Sequence, residues 1–248
     1  MRTETFSTPG KVKLDVNIPA GNLDIETVEG DMTTVELEVS GRDADEQERS
    51  AQIELRQRGD RYEVVVAARK GGFSFRGREY DVRITTPLGA DVEASVASAD
   101  IEGRGRYGDV RIQTASGDVE FEELDGQARI DSASGDIELK QVGSAKVNSA
   151  SGDLRIDHVE NGADVNTASG DMELLSVRSG EVKLNSASGD IEVGIARGSR
   201  LWVEAQSLSG ETSSELELES GAPIETDEGP LVELKARTLS GDINVRRA

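Results

Sequence analysis

Ser132-Ala133-Ser134-Gly135-Asp136-Ile137-Glu138-Leu139 returns, with small changes, from the middle of the 248-residue chain to its end. The copies align on their Gly-Asp pair: Gly117-Asp118, Gly135-Asp136, Gly152-Asp153, Gly170-Asp171 and Gly189-Asp190, at glycine spacings of 18, 17, 18 and 19. A degenerate copy, Ser98-Ala99-Asp100-Ile101, precedes them by 18 residues, and Ser209-Gly210-Glu211 and Ser240-Gly241-Asp242-Ile243 follow after longer gaps. A second glycine column, Gly126, Gly143, Gly162, Gly180 and Gly198, falls 8 to 10 residues after each Gly-Asp glycine. Each repeat therefore has room for two turns and two short strands.

A fixed period of this kind marks a solenoid, whose units bury their apolar faces only against each other. Within a unit the apolar residues alternate, as in Ile137-Glu138-Leu139 and Ala145-Lys146-Val147, which is the strand period of two. The expected fold is all-β: a single-stranded β-helix (β-solenoid) of about 18-residue coils with an N-terminal antiparallel β cap. Residues 1–90 form the β-rich cap, continuous with the solenoid; 91–205 are the regular coils; 206–248 hold irregular last coils and a C-terminal cap.

Within the cap, Val12 to Val16, Leu23 to Glu26 and Val35 to Val39 read as strands broken at Pro19-Ala20-Gly21-Asn22 and Glu29-Gly30-Asp31. Asp43-Ala44-Asp45-Glu46 fits a capping box opening a short helix through Ser50. Ile53-Glu54-Leu55, Tyr62 to Val66 and Tyr80 to Ile84 read as antiparallel strands, with Arg58-Gly59-Asp60 as a hairpin turn. Near the other end, the 31-residue gap from Gly210 to Gly241 reads as one coil with an excursion, and Leu201 and Trp202 are expected to be buried there.

Composition narrows the function. The net charge of −21 argues against nucleic acid and anionic membrane surfaces as partners for the whole chain. There is no Cys, hence no disulfide and no thiolate metal site. No segment approaches the roughly 18 apolar residues of a membrane span, and the first residues lack the apolar run of a signal peptide, so a cytoplasmic location is expected, with a surface or extracellular one as the alternative.

The phrase itself has a structural explanation: Gly supplies positive φ at a corner, while the flanking Ser and Asp bond corner amides. Stacking would align Asp118, Asp136, Asp153, Asp171 and Asp190 in a carboxylate column, a type of ligand calcium prefers, but each repeat lacks the richer glycine turn of calcium-binding rolls. Asn148, Asn166 and Asn185 form a second column, with Asp131 at the same position, beside the hydroxyl column Ser132, Ser149, Thr167 and Ser186; both read as ladders along the axis. His158 stands alone, without nearby His or Cys. No cofactor, metal or catalytic constellation is assigned.

One stretch breaks the pattern. Arg69 to Tyr80 puts basic and aromatic residues into a chain with only 3% aromatics, so Phe73, Phe75, Arg76, Arg78 and Tyr80 are the candidate partner-contact loop.

The serial Ser-Ala-Ser-Gly-Asp-Ile-Glu-Leu phrases, preceded by the looser Asn22-Leu23-Asp24-Ile25-Glu26, resemble a bacterial domain-of-unknown-function family with β-strand repeats, labelled "putative adhesin". The resemblance runs from about Val12 to Val245 and implies a single-stranded β-helix with no catalytic residues to carry over. The expected function is a non-enzymatic scaffold or interaction module that binds a protein partner or itself, with homo-oligomers forming through the solenoid ends. The alternative is adhesin-like carbohydrate or cell-surface binding, which would want an exposed aromatic row where the regular coils offer Tyr107 and Phe121. A polysaccharide-active enzyme would need a clustered break in the repeat, and residues 115 to 193 show none.

Overall fold

The computed structural model describes residues 1–41, 43–68, 78–214 and 229–248. They are strands and turns with one short helix, and they divide into two compact units, Met1–Gly135 and Asp136–Ala248.

In the first unit, β1 (Arg2–Ser7), β2 (Lys11–Val28) and β3 (Met32–Gly41) are followed by α1 (Ala44–Ser50), then β4 (Gln52–Arg58), β5 (Arg61–Ala67), β6 (Arg78–Pro87), β7 (Ala90–Ser116) and β8 (Val119–Ser132). Two pairing modes coexist. β1 pairs antiparallel with β3, β3 with β6, and β4 with β5. β2 pairs parallel with β5 and β6 on one side and with β7 on the other, so this second strand of the chain lies inside the stack. β7 pairs parallel with β8, Ile101 opposite Val119 and Ile112 opposite Ile130, which turns the 18-residue period into register.

The expected break at Pro19-Ala20-Gly21-Asn22 is a corner within β2 rather than its end. Val12, Leu14, Val16 and Ile18 are buried before it, Leu23 and Ile25 after it, so the inward phase of the alternation changes there. The ladder to β7 runs through Ile18 and Ala20 and omits Pro19, which has no N–H to give. The helix forms where expected, but not by a capping box. Asp43 sits at φ 59 with no side-chain cap bond, its carbonyl instead accepts the amides of Glu46 and Gln47, and its carboxylate lies 3.7 Å from Arg78.

The core of this unit is built around Tyr107 and Phe121, both fully buried. Their ring centroids are 5.2 Å apart in an edge-to-face arrangement. A Cβ on Gly103 would overlap the Phe121 ring, so the glycine is what admits it. The Tyr107 hydroxyl donates to the carbonyls of Ile25 (2.7 Å) and Arg104 (3.0 Å), and burial pushes its pKa well above the usual phenol value.

The second unit contains β9 (Ile137–Ser151), β10 (Leu154–Val159), β11 (Ala163–Ser169), β12 (Met172–Val177), β13 (Gly180–Ser188), β14 (Ile191–Ile195), β15 (Arg200–Ser209), β16 (Thr212–Ser214), β17 (Leu231–Ser240) and β18 (Ile243–Arg247). Every pairing among them is parallel. Stacking aligns Ile137, Leu154, Met172, Ile191 and Ile243 in one buried column, and Leu139, Ile156, Leu174, Val193 and Val245 in the next.

The stacking order departs from the chain order. β13 and β14 pair with β17 and β18, not with β15 and β16, and β15 and β16 pair with the outer side of β17 and β18. The last repeat in sequence is therefore inserted between the two before it, instead of closing the end as a single coil with an excursion. The residues explain the exchange. Thr212 and Ser214 stand opposite Ile243 and Val245, at positions where the other repeats carry large apolar side chains, so that repeat is suited to the outside. Trp202, expected in the core, is accordingly 48% exposed.

The corner glycines give a graded test. Gly189 has φ 132, and a Cβ there would overlap the carbonyl oxygen of Gly170; Gly198 has φ 85 with open space around it. Gly198→Ala should cost about 1–2 kcal/mol for the left-handed backbone alone. Gly189→Ala should cost more than about 3 kcal/mol, because the paired repeats must also separate. Urea unfolding of the two variants checks the order.

Candidate functional site

Two features follow from the repeat: its corner, and the end of the second unit. At the corner the chain turns on a glycine with positive φ, and the next residue's carboxylate is aimed along the stack. In the second unit Asp136 Oδ1 accepts the amide of Asp153 (2.9 Å), Asp153 that of Asp171 (2.9 Å), Asp171 that of Asp190 (2.8 Å) and Asp190 that of Asp242 (2.7 Å). Asp242 Oδ1 then accepts from Glu211 (2.7 Å), following the exchanged order. The first unit makes the same axial bonds without a positive-φ glycine before the acceptor: Asp100 Oδ1 accepts from Asp118 (3.0 Å), Asp91 from Asp109 (2.9 Å) and Asp109 from Gln127 (2.9 Å).

The column has a structural task. One oxygen of each named acceptor is committed to an amide, and among the described residues no three His, Cys, Asp or Glu side chains are grouped to hold a metal ion. The asparagines do form an axial ladder, Asn166 donating to Asn148 (3.2 Å) and Asn185 to Asn166 (3.0 Å). The hydroxyls differ from expectation. Ser132, Ser149 and Thr167 each donate within their own repeat, to the carbonyls of Ser134 (3.0 Å), Ser151 (3.0 Å) and Ser169 (3.1 Å), because a short side chain reaches the carbonyl two residues on more easily than the next repeat.

The end of the second unit is where the surface changes character. The residue between Ser/Thr and Ser in the phrase points outward. It is alanine at Ala150, Ala168 and Ala187, but leucine at Leu239 and Leu208. The exchanged stacking makes those two leucines neighbours, since Ser207 is opposite Thr238 and Ser209 opposite Ser240. Leu208 is 81% exposed and Leu239 58%. Along the same outer strand, Trp202 lies under the Lys235 ammonium, 5.9 Å from the ring centroid. Lys235 also pairs with Glu181 at 2.9 Å, and Arg237 with Glu204 at 2.8 Å. Lys183 and Lys235 together hold the Glu181 carboxyl down at about 2.

The candidate contact loop is only partly placed. Phe73, Phe75 and Arg76 lie outside the described residues. Tyr80 is in the core, 2% exposed, its hydroxyl donating to Gln47 (3.4 Å), and Arg78 faces Asp43. Tyr107 and Phe121 are both buried and offer no row for a sugar. His158 is on β10 opposite Gln141 and Ser176. The leucine pair was visible as the substitution of Leu for Ala in two phrases; its adjacency was hidden by the exchanged order. No helix among the described residues is long and apolar enough to cross a membrane.

If the aspartate column is structural, Asp171→Ala should destabilise the second unit by about 1 kcal/mol. Asp171→Asn, which keeps the acceptor oxygen, should cost less, and calcium should not raise the melting temperature of either variant or of the parent. Thermal melts with calcium and with chelator check both statements.

The Toastrack DUF4097 family matches residues 8–246. No curated protein matches the chain by sequence. A crystal structure of a "putative adhesin" from Bacteroides fragilis NCTC 9343 is 14% identical and covers 98% of this chain and 96% of its own, with a TM-score of 0.53. A "putative adhesin" from Parabacteroides distasonis ATCC 8503 is 13% identical at the same coverages and TM-score 0.53. A "putative lipid binding protein" from the same organism is 14% identical over 98% and 96%, with a TM-score of 0.47. At these identities the likeness to the two adhesins is one of fold.

Proposed function

The chain belongs to the Toastrack DUF4097 family, and we propose that it is a non-enzymatic β-solenoid scaffold that binds a second copy of itself through the end of its second unit. The observation that carries this reading is the pair Leu208 and Leu239, exposed side by side on the outermost repeats, with Trp202 on the same strand. Elsewhere the repeats place alanine at this position, so the apolar spot is local. Large exposed aromatic and aliphatic side chains contribute to association by leaving water. Glu204 is neutralised by Arg237 and Glu181 by Lys183 and Lys235, which removes part of the like-charge repulsion that a net charge of −21 sets against self-association.

Adhesion is the function named for two of the fold relatives, and Trp202 is the one aromatic ring exposed enough among the described residues to stack on a sugar. A single ring already approached by Lys235 makes a weaker case for glycan binding than for a protein contact.

Light scattering on a sizing column tests the proposal. The wild-type chain should show a concentration-dependent mass above 26.5 kDa. That mass should rise from about 0.15 M to about 1 M salt, as charge repulsion is screened while apolar contact is not. Leu208→Lys combined with Leu239→Lys should return it to the monomer without loss of the β-sheet circular dichroism signal. A wild-type monomer at every concentration and salt would overturn self-association.

A further inference from the structure

We propose that a basic groove in the first unit binds ligands carrying several phosphate groups. In the β4–β5 hairpin Arg58 is directly opposite Arg61, and Arg61 is directly opposite Lys11 on β2. Three exposed cations therefore stand in one row across three paired strands. Like charges in directly opposed positions destabilise a sheet, and no carboxylate of the described residues pairs with any of the three. Other cations of the chain, such as Lys13, Lys146 and Arg178, each have an acidic partner within 3.1 Å.

The row opens onto a groove of about 580 Å³, within the range of small-ligand sites. Its floor includes Gly89 and Gly108, which present backbone and no side chain. A second rank, Arg56 and Lys13, lines the same groove. Three carboxylates also line it, and each is engaged. Glu63 lies 3.9 Å from Arg56, Asp91 Oδ1 accepts the Asp109 amide, and Asp109 Oδ1 accepts the Gln127 amide. Of the five cations, Lys13 pairs with Glu93 and Arg56 with Glu54 and Glu63, which leaves Lys11, Arg58 and Arg61 without a carboxylate partner among the described residues, in a groove that Asp91 and Asp109 also line.

Phosphate is the chemistry that suits this arrangement. Two neighbouring guanidinium forks on paired strands, about 4.8 Å apart, each offer a planar pair of donors that a phosphate oxygen pair accepts bidentately. A single monovalent anion would neutralise only one of three adjacent charges, so the ligand carries more than one phosphate or presents several from one surface. Free polyphosphate and phospholipid headgroups share this chemistry.

Calorimetric titration of sodium tripolyphosphate into the full chain at low salt distinguishes the outcomes. Wild type should bind it, and the variant combining Lys11→Gln, Arg58→Gln and Arg61→Gln should bind at least about tenfold more weakly. Arg178→Gln, remote from the groove, should bind like wild type. Without ligand the triple variant should melt at or above the wild-type temperature, because like-charge repulsion is removed, and tripolyphosphate should stabilise wild type alone. Sedimentation with phosphatidylglycerol vesicles, against phosphatidylcholine vesicles, assigns the source: capture by the anionic vesicles that the triple variant loses, without tripolyphosphate binding, identifies a lipid headgroup. No binding in either arm, or equal binding by the triple variant, overturns the proposal. Added salt should weaken this binding, whereas it should strengthen self-association, so failure of one reading leaves the other standing.

Discussion

The corner where one repeat rests on the next is the constraint on which the structure depends. Each phrase glycine of the second unit, Gly152, Gly170, Gly189, Gly210 and Gly241, has positive φ, and a Cβ on Gly170, Gly189, Gly210 or Gly241 would overlap a carbonyl oxygen of the glycine stacked against it. Two requirements meet in one residue: a backbone conformation costly to L side chains, and an approach that leaves no room for one. The aspartate that follows then receives an amide of the adjacent repeat, so the position that forces glycine also supplies the axial hydrogen bond. This coupling explains why Gly and Asp travel together through the sequence while the residues around them drift.

Period and phase were legible because they have a direct physical reading. The 18-residue spacing became parallel register, and alternation such as Ile137-Glu138-Leu139 became the buried columns. Stacking order was not legible, because a period states which residues are equivalent and not which copies are adjacent. The clue was in the apolar content of each copy: Thr212 and Ser214 cannot substitute for Ile243 and Val245 between two covered repeats. Burial of single aromatic residues was misjudged for a related reason. Trp202 sits on an outward phase of an outer strand and stays exposed, whereas Tyr107 and Phe121, which could have lined a surface, are buried, Phe121 in the space that Gly103 leaves.

The capping box shows how a local motif yields to its surroundings. Asp43 and Glu46 have the right spacing, yet Asp43 adopts φ 59 and its carboxylate turns toward Arg78 at the start of β6. With the carbonyl of Asp43 already accepting two amides of the first turn, the side chain is free to serve the tertiary contact. Sequence spacing specifies which groups can reach each other; competition among partners decides which do.

The acidity of the chain is the sum of two different arrangements. Carboxylates at corners are tied to amides, and some carboxylates on outward strand faces meet a cation on a paired strand, as Asp164 meets Lys146 and Glu192 meets Arg246. Such exposed pairs each contribute little stability, and parallel stacking also sets like charges opposite each other, as Glu181 opposite Glu233, Glu173 opposite Glu192 and Arg111 opposite Arg129. Lys11, Arg58 and Arg61 are set apart by standing in one row of three cations, none with a carboxylate partner among the described residues. Three neighbouring cations without a carboxylate partner repel one another, and a polyanionic ligand would relieve that repulsion, which is why a ligand is to be sought there.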